Sequence, residues 1–117
     1  MLNWDMFISS KGRINRKSWW VAQIVIYLVT SGASFLLSGG QPERTPNVLV
    51  ALLGLIVLAL GFGASVTVTI KRLHDIDKSG WYVLLGFIPL LGQLALLILA
   101  GFVPGTQGAN RYGEMPT

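Results

Sequence analysis

Three runs without a single charged residue dominate this chain: Trp19 to Ser38, Val48 to Ile70 and Trp81 to Val103. At about 1.5 Å rise per residue, a helix of about twenty residues covers about 30 Å, the thickness of a bilayer's hydrocarbon core. The second run is slightly longer than that core needs, which a tilt accommodates. No water reaches the core to satisfy peptide groups, so a spanning backbone must bond to itself as helices or as a closed barrel. None of the runs alternates apolar and polar residues, so helices are expected.

Composition points the same way. Of 117 residues, 52% are hydrophobic and 12% are charged, about half the charged fraction usual for soluble domains. The length suits one domain. The expected fold is therefore an all-α membrane protein with a single domain over 1–117. It has three transmembrane helices at about 19–38, 48–70 and 81–103 and a tail over 104–117. A short interfacial helix is expected around Trp4, Phe7 and Ile8. The first run follows the basic stretch Lys11 to Lys17, and Ser31-Gly32-Ala33 loosely resembles a cleavage site. It exceeds a usual signal-peptide core and two more spans follow, so an uncleaved start-transfer helix is expected.

Charge sets an orientation. Lys11, Arg13, Arg16 and Lys17 precede the first span, and Lys71, Arg72 and Lys78 lie between the second and third. Arg44 and Arg111 occupy the alternate segments, so seven basic residues face two. The bias of Lys and Arg toward cytoplasmic loops predicts the N-terminus inside and the C-terminus outside. Trp19, Trp20, Trp81 and Tyr82 fall at the same inner interface, where amphipathic rings prefer to sit.

Several function classes recede. There is no cysteine, which removes disulfides, thiolate metal sites and cysteine nucleophiles. The net charge of +4 is basic, but no soluble nucleic-acid module fits, and no nucleic-acid partner is expected. Inside the spans the main polar side chains are Gln23 and Gln93, without any Asp, Glu, Lys, Arg or His. Proton-coupled carriers place such a group near the midplane. Small residues, as in Ala59-x-x-x-Gly63 and Gly61-x-x-x-Ser65, suit close helix packing or an oligomer interface. Pro89 is expected to kink the third span.

Three polar stretches carry the recognition chemistry. The first, Ser10 to Trp20, offers Asn15 as a helix cap and Arg16 one turn from Trp20, a spacing for a cation–π contact. The second, 70-IKRLHDIDKSGWY-82, holds six charged or titratable side chains in eight positions. Asp77 or Ser79 can cap the third span, and Lys71 and Asp75 are spaced for a helical ion pair. His74, Asp75 and Asp77 are metal-ligand types, but His74 and Asp75 point to different faces of a helix, so no metal site is assigned. His74 with a carboxylate is a general-base pair in principle. No nucleophile motif accompanies it, so no catalytic residue and no cofactor is assigned. The third stretch, 104-PGTQGANRYGEMP-116, opens on Pro104-Gly105, a type II turn signal. It lacks the lysine and spacing of a phosphate loop.

G-R-x-x-R-x-x-x-W (Gly12, Arg13, Arg16, Trp20), R-L-H-D-x-x-x-S-G-W (Arg72 to Asp75, Ser79 to Trp81) and P-G-T-x-G-x-N-R-Y-G (Pro104 to Gly113) occur in that order along nearly the whole chain. Together they resemble the domain of unknown function 805 family of small bacterial inner-membrane proteins. The middle motif here opens Lys71-Arg72 where two arginines are expected, which keeps charge but loses one planar fork. The resemblance implies a multi-pass bacterial inner-membrane protein and no activity.

The expected function is that of a non-enzymatic structural or interaction protein, oligomeric, that binds anionic lipid headgroups or a membrane-protein partner through a cytoplasmic basic collar. The candidate binding residues are Arg13, Arg16, Lys17, Trp20, Lys71, Arg72, His74, Asp75, Trp81 and Arg111. A small-molecule or ion carrier lined by Gln23, Gln93 and the Pro89 kink is the first alternative, and an enzyme centred on His74 and Asp75 is the second. If the tail shares a face with the basic clusters, the third run must re-enter near Pro89 or the tail must fold into the bundle.

Overall fold

The computed structural model describes residues 11–41 and 47–116. Among these the chain runs through α1 (Arg16–Leu37), α2 (Val48–Asp75), a 3-10 helix (Gly80–Phe87) and α3 (Leu91–Gly101). The described residues form no strand, only an isolated bridge between Asn110 and Gly113. The interfacial helix expected around Trp4, Phe7 and Ile8 lies outside the described residues.

Both long helices begin on an asparagine in extended conformation. The Asn15 side chain accepts from the Ser18 N–H and the Asn47 side chain from the Val50 N–H, each at 2.8 Å. These caps satisfy donors that a first helical turn leaves without partners. α1 and α2 are long and apolar enough to cross a membrane. They pack closely where Gly61 faces Thr30, since a Cβ on Gly61 would collide with the Thr30 methyl. A polar rung ties the pair together. Ser65 Oγ donates to Gln23 Oε1 at 3.0 Å, and Thr69 Oγ1 accepts from Trp19 Nε1 at 3.2 Å and from Gln23 Nε2 at 3.4 Å. Such hydrogen bonds hold helices together where apolar contact gives little drive.

The buried apolar core is small. Trp19, Ala22, Val68, Leu73 and Ala100 fill it, while Leu28, Leu36, Leu49, Leu55, Leu60 and many other large apolar side chains are exposed. That surface is unsuited to water and suited to hydrocarbon.

The third apolar run is not one helix, contrary to the sequence expectation of a span over 81–103. It is an eight-residue 3-10 helix and an eleven-residue α-helix that fold back on each other. Pro89 supplies the reason. Its ring disfavours helical geometry in the residue before it, and Ile88 is extended at ψ 113°. Leu90 then takes φ 63° and ψ −66°, and the Leu91 N–H donates to the Pro89 carbonyl at 2.7 Å. This is a γ-turn with positive φ, a rare and strained conformation for a non-glycine residue. The fold-back also needs Gly92, where a Cβ would run into the Leu85 carbonyl.

Each arm of this hairpin is about 16 Å long, at about 2.0 Å per residue for the 3-10 helix and 1.5 Å for α3. The chain therefore leaves the hairpin at the end where it entered. The tail emerges beside the start of α1 and the end of α2, and Thr106 N–H donates to the Asp75 carbonyl at 2.7 Å. The expectation that three crossings separate the tail from the N-terminal basic segment is corrected here: both lie at one end of the molecule.

Candidate functional site at the shared helix ends

A helix leaves its last carbonyls without partners, and its C-terminus carries partial negative charge. Two helix C-termini meet at one end of this molecule, and the three polar stretches of the sequence satisfy both. At the end of α3, Arg72 Nε donates to the Ala100 carbonyl at 2.7 Å, and Trp20 Nε1 to Gly101 at 2.9 Å. Arg16 Nη1 donates to Phe102 at 2.9 Å, and Arg72 Nη2 donates to Val103. Four consecutive carbonyls are thus capped by three side chains. Arg16 and Trp20, expected to stack on each other, instead each donate to a neighbouring carbonyl of α3.

At the end of α2, the Lys71 carbonyl accepts from the Ile14 N–H at 3.4 Å. The His74 carbonyl accepts from Asn110 Nδ2 at 2.9 Å. The Asp75 carbonyl accepts from Arg13 Nη2 at 3.4 Å in addition to Thr106. The N-terminal segment and the tail therefore close the same helix end from two directions.

The centre of the arrangement is the Asp75 carboxylate. Arg13 Nη2 lies 2.9 Å from Oδ1 and Arg72 Nη1 2.5 Å from Oδ2. The side chains of Arg13, Arg72 and Asp75 are 1%, 0% and 4% exposed. Two buried guanidiniums on one carboxylate leave a surplus positive charge, tolerable only where the remaining donors are satisfied. Backbone carbonyls supply that. Arg13 Nη1 donates to Gly108 at 2.8 Å and Gly113 at 3.0 Å, and its Nη2 to Thr106 at 2.8 Å. Among the described residues no buried side-chain nitrogen or oxygen lacks a partner. Only the five-donor fork of arginine reaches so many acceptors at once.

The tail's glycines follow from this geometry. Gly105 lies against Asp75, where a Cβ would strike the carboxylate. Its φ is not positive, so the type II turn expected at Pro104-Gly105 is not formed. The close approach, not the turn, requires glycine there.

His74 does not pair with Asp75 as base and orienter. Its Nδ1 donates to the Gly12 carbonyl at 3.0 Å, and its ring stacks on Tyr112 with centroids 3.9 Å apart and planes 3° from parallel. Asn110 locks the tail turn. Its Oδ1 accepts from the Tyr112 N–H at 2.8 Å, and its Nδ2 also reaches Thr106 Oγ1 at 3.2 Å. Asp77, with φ 61°, caps nothing and pairs with Arg111 at 3.1 Å. That bond raises the Arg111 pKa further above its already high value. Ser79 is the cap, accepting from the Trp81 N–H at 3.3 Å.

The structure thus gathers Arg13, Arg72, His74 and Asp75 in one clasp, with Arg16 and Trp20 adjoining it across α3. Lys71 is buried at the same end. Lys17, Trp81 and Arg111 stay on the surface. The residues missed were Thr106, Asn110 and the carbonyls of Gly108 and Gly113, although the motif P-G-T-x-G-x-N-R-Y-G runs through all four.

Comparison with known proteins places these motifs in context. The family model described as "Protein of unknown function (DUF805)" matches residues 7–114. Inner membrane protein YhaI of Escherichia coli K12 is 33% identical over 117 residues, covering 94% of this chain and 87% of the relative. Inner membrane protein YhaH of the same strain is 31% identical over 112 residues, covering 94% and 88%. The uncharacterized protein YiiR is 31% identical over 130 residues, covering 91% and 84%. No solved structure matches the chain.

Proposed function

We propose, from the premise that this chain belongs to the family of proteins of unknown function DUF805, that it is a non-enzymatic, multi-pass protein of the bacterial inner membrane that binds anionic lipid headgroups at its clasped end. α1 and α2 cross the bilayer, the hairpin enters from the cytoplasmic side and returns to it, and the tail is cytoplasmic.

The observation that carries the reading is the division of labour among the cations. Arg13 and Arg72 are buried in internal bonds, which removes them from the collar and makes them structural. Arg16 and Lys17 stay exposed on the first turn of α1, beside the interfacial ring of Trp20. Cations near a membrane surface attract anionic headgroups by about 1 kcal/mol each. Against the enzyme reading, both oxygens of Asp75 are held by guanidiniums. Against the carrier reading, the Gln23 amide is engaged by Ser65 and Thr69 instead of facing an aqueous path.

The test is lipid retention by the purified protein. Native mass spectra of wild type released from vesicles of phosphatidylethanolamine and phosphatidylglycerol should show bound phosphatidylglycerol. The Arg16→Gln/Lys17→Gln double variant should keep less of it while still folding, destabilised by no more than about 1 kcal/mol for the lost Arg16–Phe102 hydrogen bond. Equal retention by both proteins would overturn the reading, and a protein mass instead of lipid would assign this end to a partner chain.

A further inference from the structure

The hairpin does not pack flush against α2. Between them lies a cavity of about 280 Å³. Phe62, Ser65, Val66 and Thr69 of α2 form one wall. Val83, Gly86 and Phe87 of the 3-10 helix form the other, with Leu96 of α3 at the back. Residues three apart eclipse in a 3-10 helix, so Gly80, Val83 and Gly86 stack along one side, with Gly80 against α2 and Gly86 against Leu96 of α3. The Gly80 end of that stripe is tight, since a Cβ there would strike Ile70. Below it the small side chains leave the gap open.

The chemistry of the walls selects the occupant. Water in a cavity needs two to four polar partners. The only side-chain hydroxyls here, on Ser65 and Thr69, are directed to Gln23 and Trp19 of α1. What remains is hydrocarbon. An apolar cavity of about 150 Å³ takes up benzene, so this one has room for a chain segment of roughly ten carbons on that scale. Phe62 and Phe87 at its rim are exposed, which opens the cavity toward the surrounding bilayer.

Depth and charge identify the source of the chain. At about 2.0 Å per residue, Val83 lies about 6 Å and Phe87 about 14 Å along the hairpin from Gly80, where the arm begins. That is acyl depth, below a headgroup. Lys78, two residues before the arm begins, is exposed, and its ammonium sits 5.9 Å from the centre of the Tyr82 ring. We infer that the cavity between α2 and the 3-10 helix is a lipid site that seats one acyl chain of an anionic phospholipid whose phosphate rests on Lys78. The inference rests on the anionic-lipid reading above and adds a second, chain-specific element, on different residues.

The test uses full-length protein from vesicles of phosphatidylethanolamine and phosphatidylglycerol, examined by native mass spectrometry in mild detergent. Wild type should keep one more phosphatidylglycerol per chain than Val83→Trp, which fills the cavity. Lys78→Gln should keep a lipid but lose the preference for phosphatidylglycerol over phosphatidylethanolamine. A chain-length series on wild type guards against misfolding of the filled variant: dioleoyl phosphatidylglycerol should be retained and the dihexanoyl form released. Equal retention of both chain lengths, or undiminished retention by Val83→Trp, would overturn the cavity site. If Arg16→Gln/Lys17→Gln still released the lipid in that case, headgroup binding would stand without the seated chain. Wild type free of lipid would sink both.

Discussion

The Trp20 indole N–H donates to the Gly101 carbonyl at 2.9 Å, joining the first turns of α1 to the last residue of α3. This tryptophan is thus a helix cap. Trp20→Phe keeps the ring and deletes the donor. It should lower stability by about 1 kcal/mol, the usual net worth of one hydrogen bond. Thermal unfolding in detergent measures it, and an unchanged midpoint would mean that the ring alone matters.

Among the described residues, Asp75 is the only carboxylate between two buried guanidiniums. Asp75→Asn leaves both cations without a counter-charge in a site closed to solvent. Breaking a buried pair this way costs about 3–5 kcal/mol, so the variant should unfold far more readily than any surface variant.

Arg13→Lys preserves charge but not the fork. A single ammonium cannot reach Asp75, Thr106, Gly108 and Gly113 together. Limited proteolysis should then cut the tail between Pro104 and Gly113 faster than in wild type, with α1 and α2 still protected. A tail cut at the wild-type rate would show that Arg13 does not hold it.

Arg111 gives the contrast. Its ion pair with Asp77 is 65% and 43% exposed, and exposed pairs contribute little. Arg111→Gln should leave the midpoint of thermal unfolding in detergent where the wild type has it.

The hairpin makes a topological prediction. The chain has no native cysteine, so single cysteines report cleanly. Lys17→Cys and Glu114→Cys should react with a membrane-impermeant thiol reagent from the same side of the membrane, and Gln41→Cys from the other. Labelling of Lys17→Cys and Glu114→Cys from opposite sides would restore three full crossings.

Much of this was legible in the sequence. The two long spans follow from charge-free length, and Asn15 and Ser79 are caps because their side chains suit that role. The third run reads as a full span because hydropathy counts apolar residues and is blind to backbone direction. Pro89 signalled a bend, but a reversal also needed Leu90 in a strained turn and Gly92 without a Cβ. That error carried the tail to the wrong end, since the parity of crossings set its side. Arg13 and Arg72 look like surface charge in the sequence for a different reason. Their partners are mostly backbone carbonyls, which every residue has and no composition reveals. Only the recurrence of arginine, tryptophan and asparagine in fixed motifs hinted that these side chains had internal partners.

The half-length hairpin has a mechanical consequence. In a bilayer crossed by α1 and α2, the leaflet on the clasped side must make room for four rods, whereas the far leaflet holds two. Placed as proposed, the molecule is a wedge. It displaces more lipid area in one monolayer than in the other, and a crowd of such wedges in one orientation favours a membrane that bows outward on the clasped side.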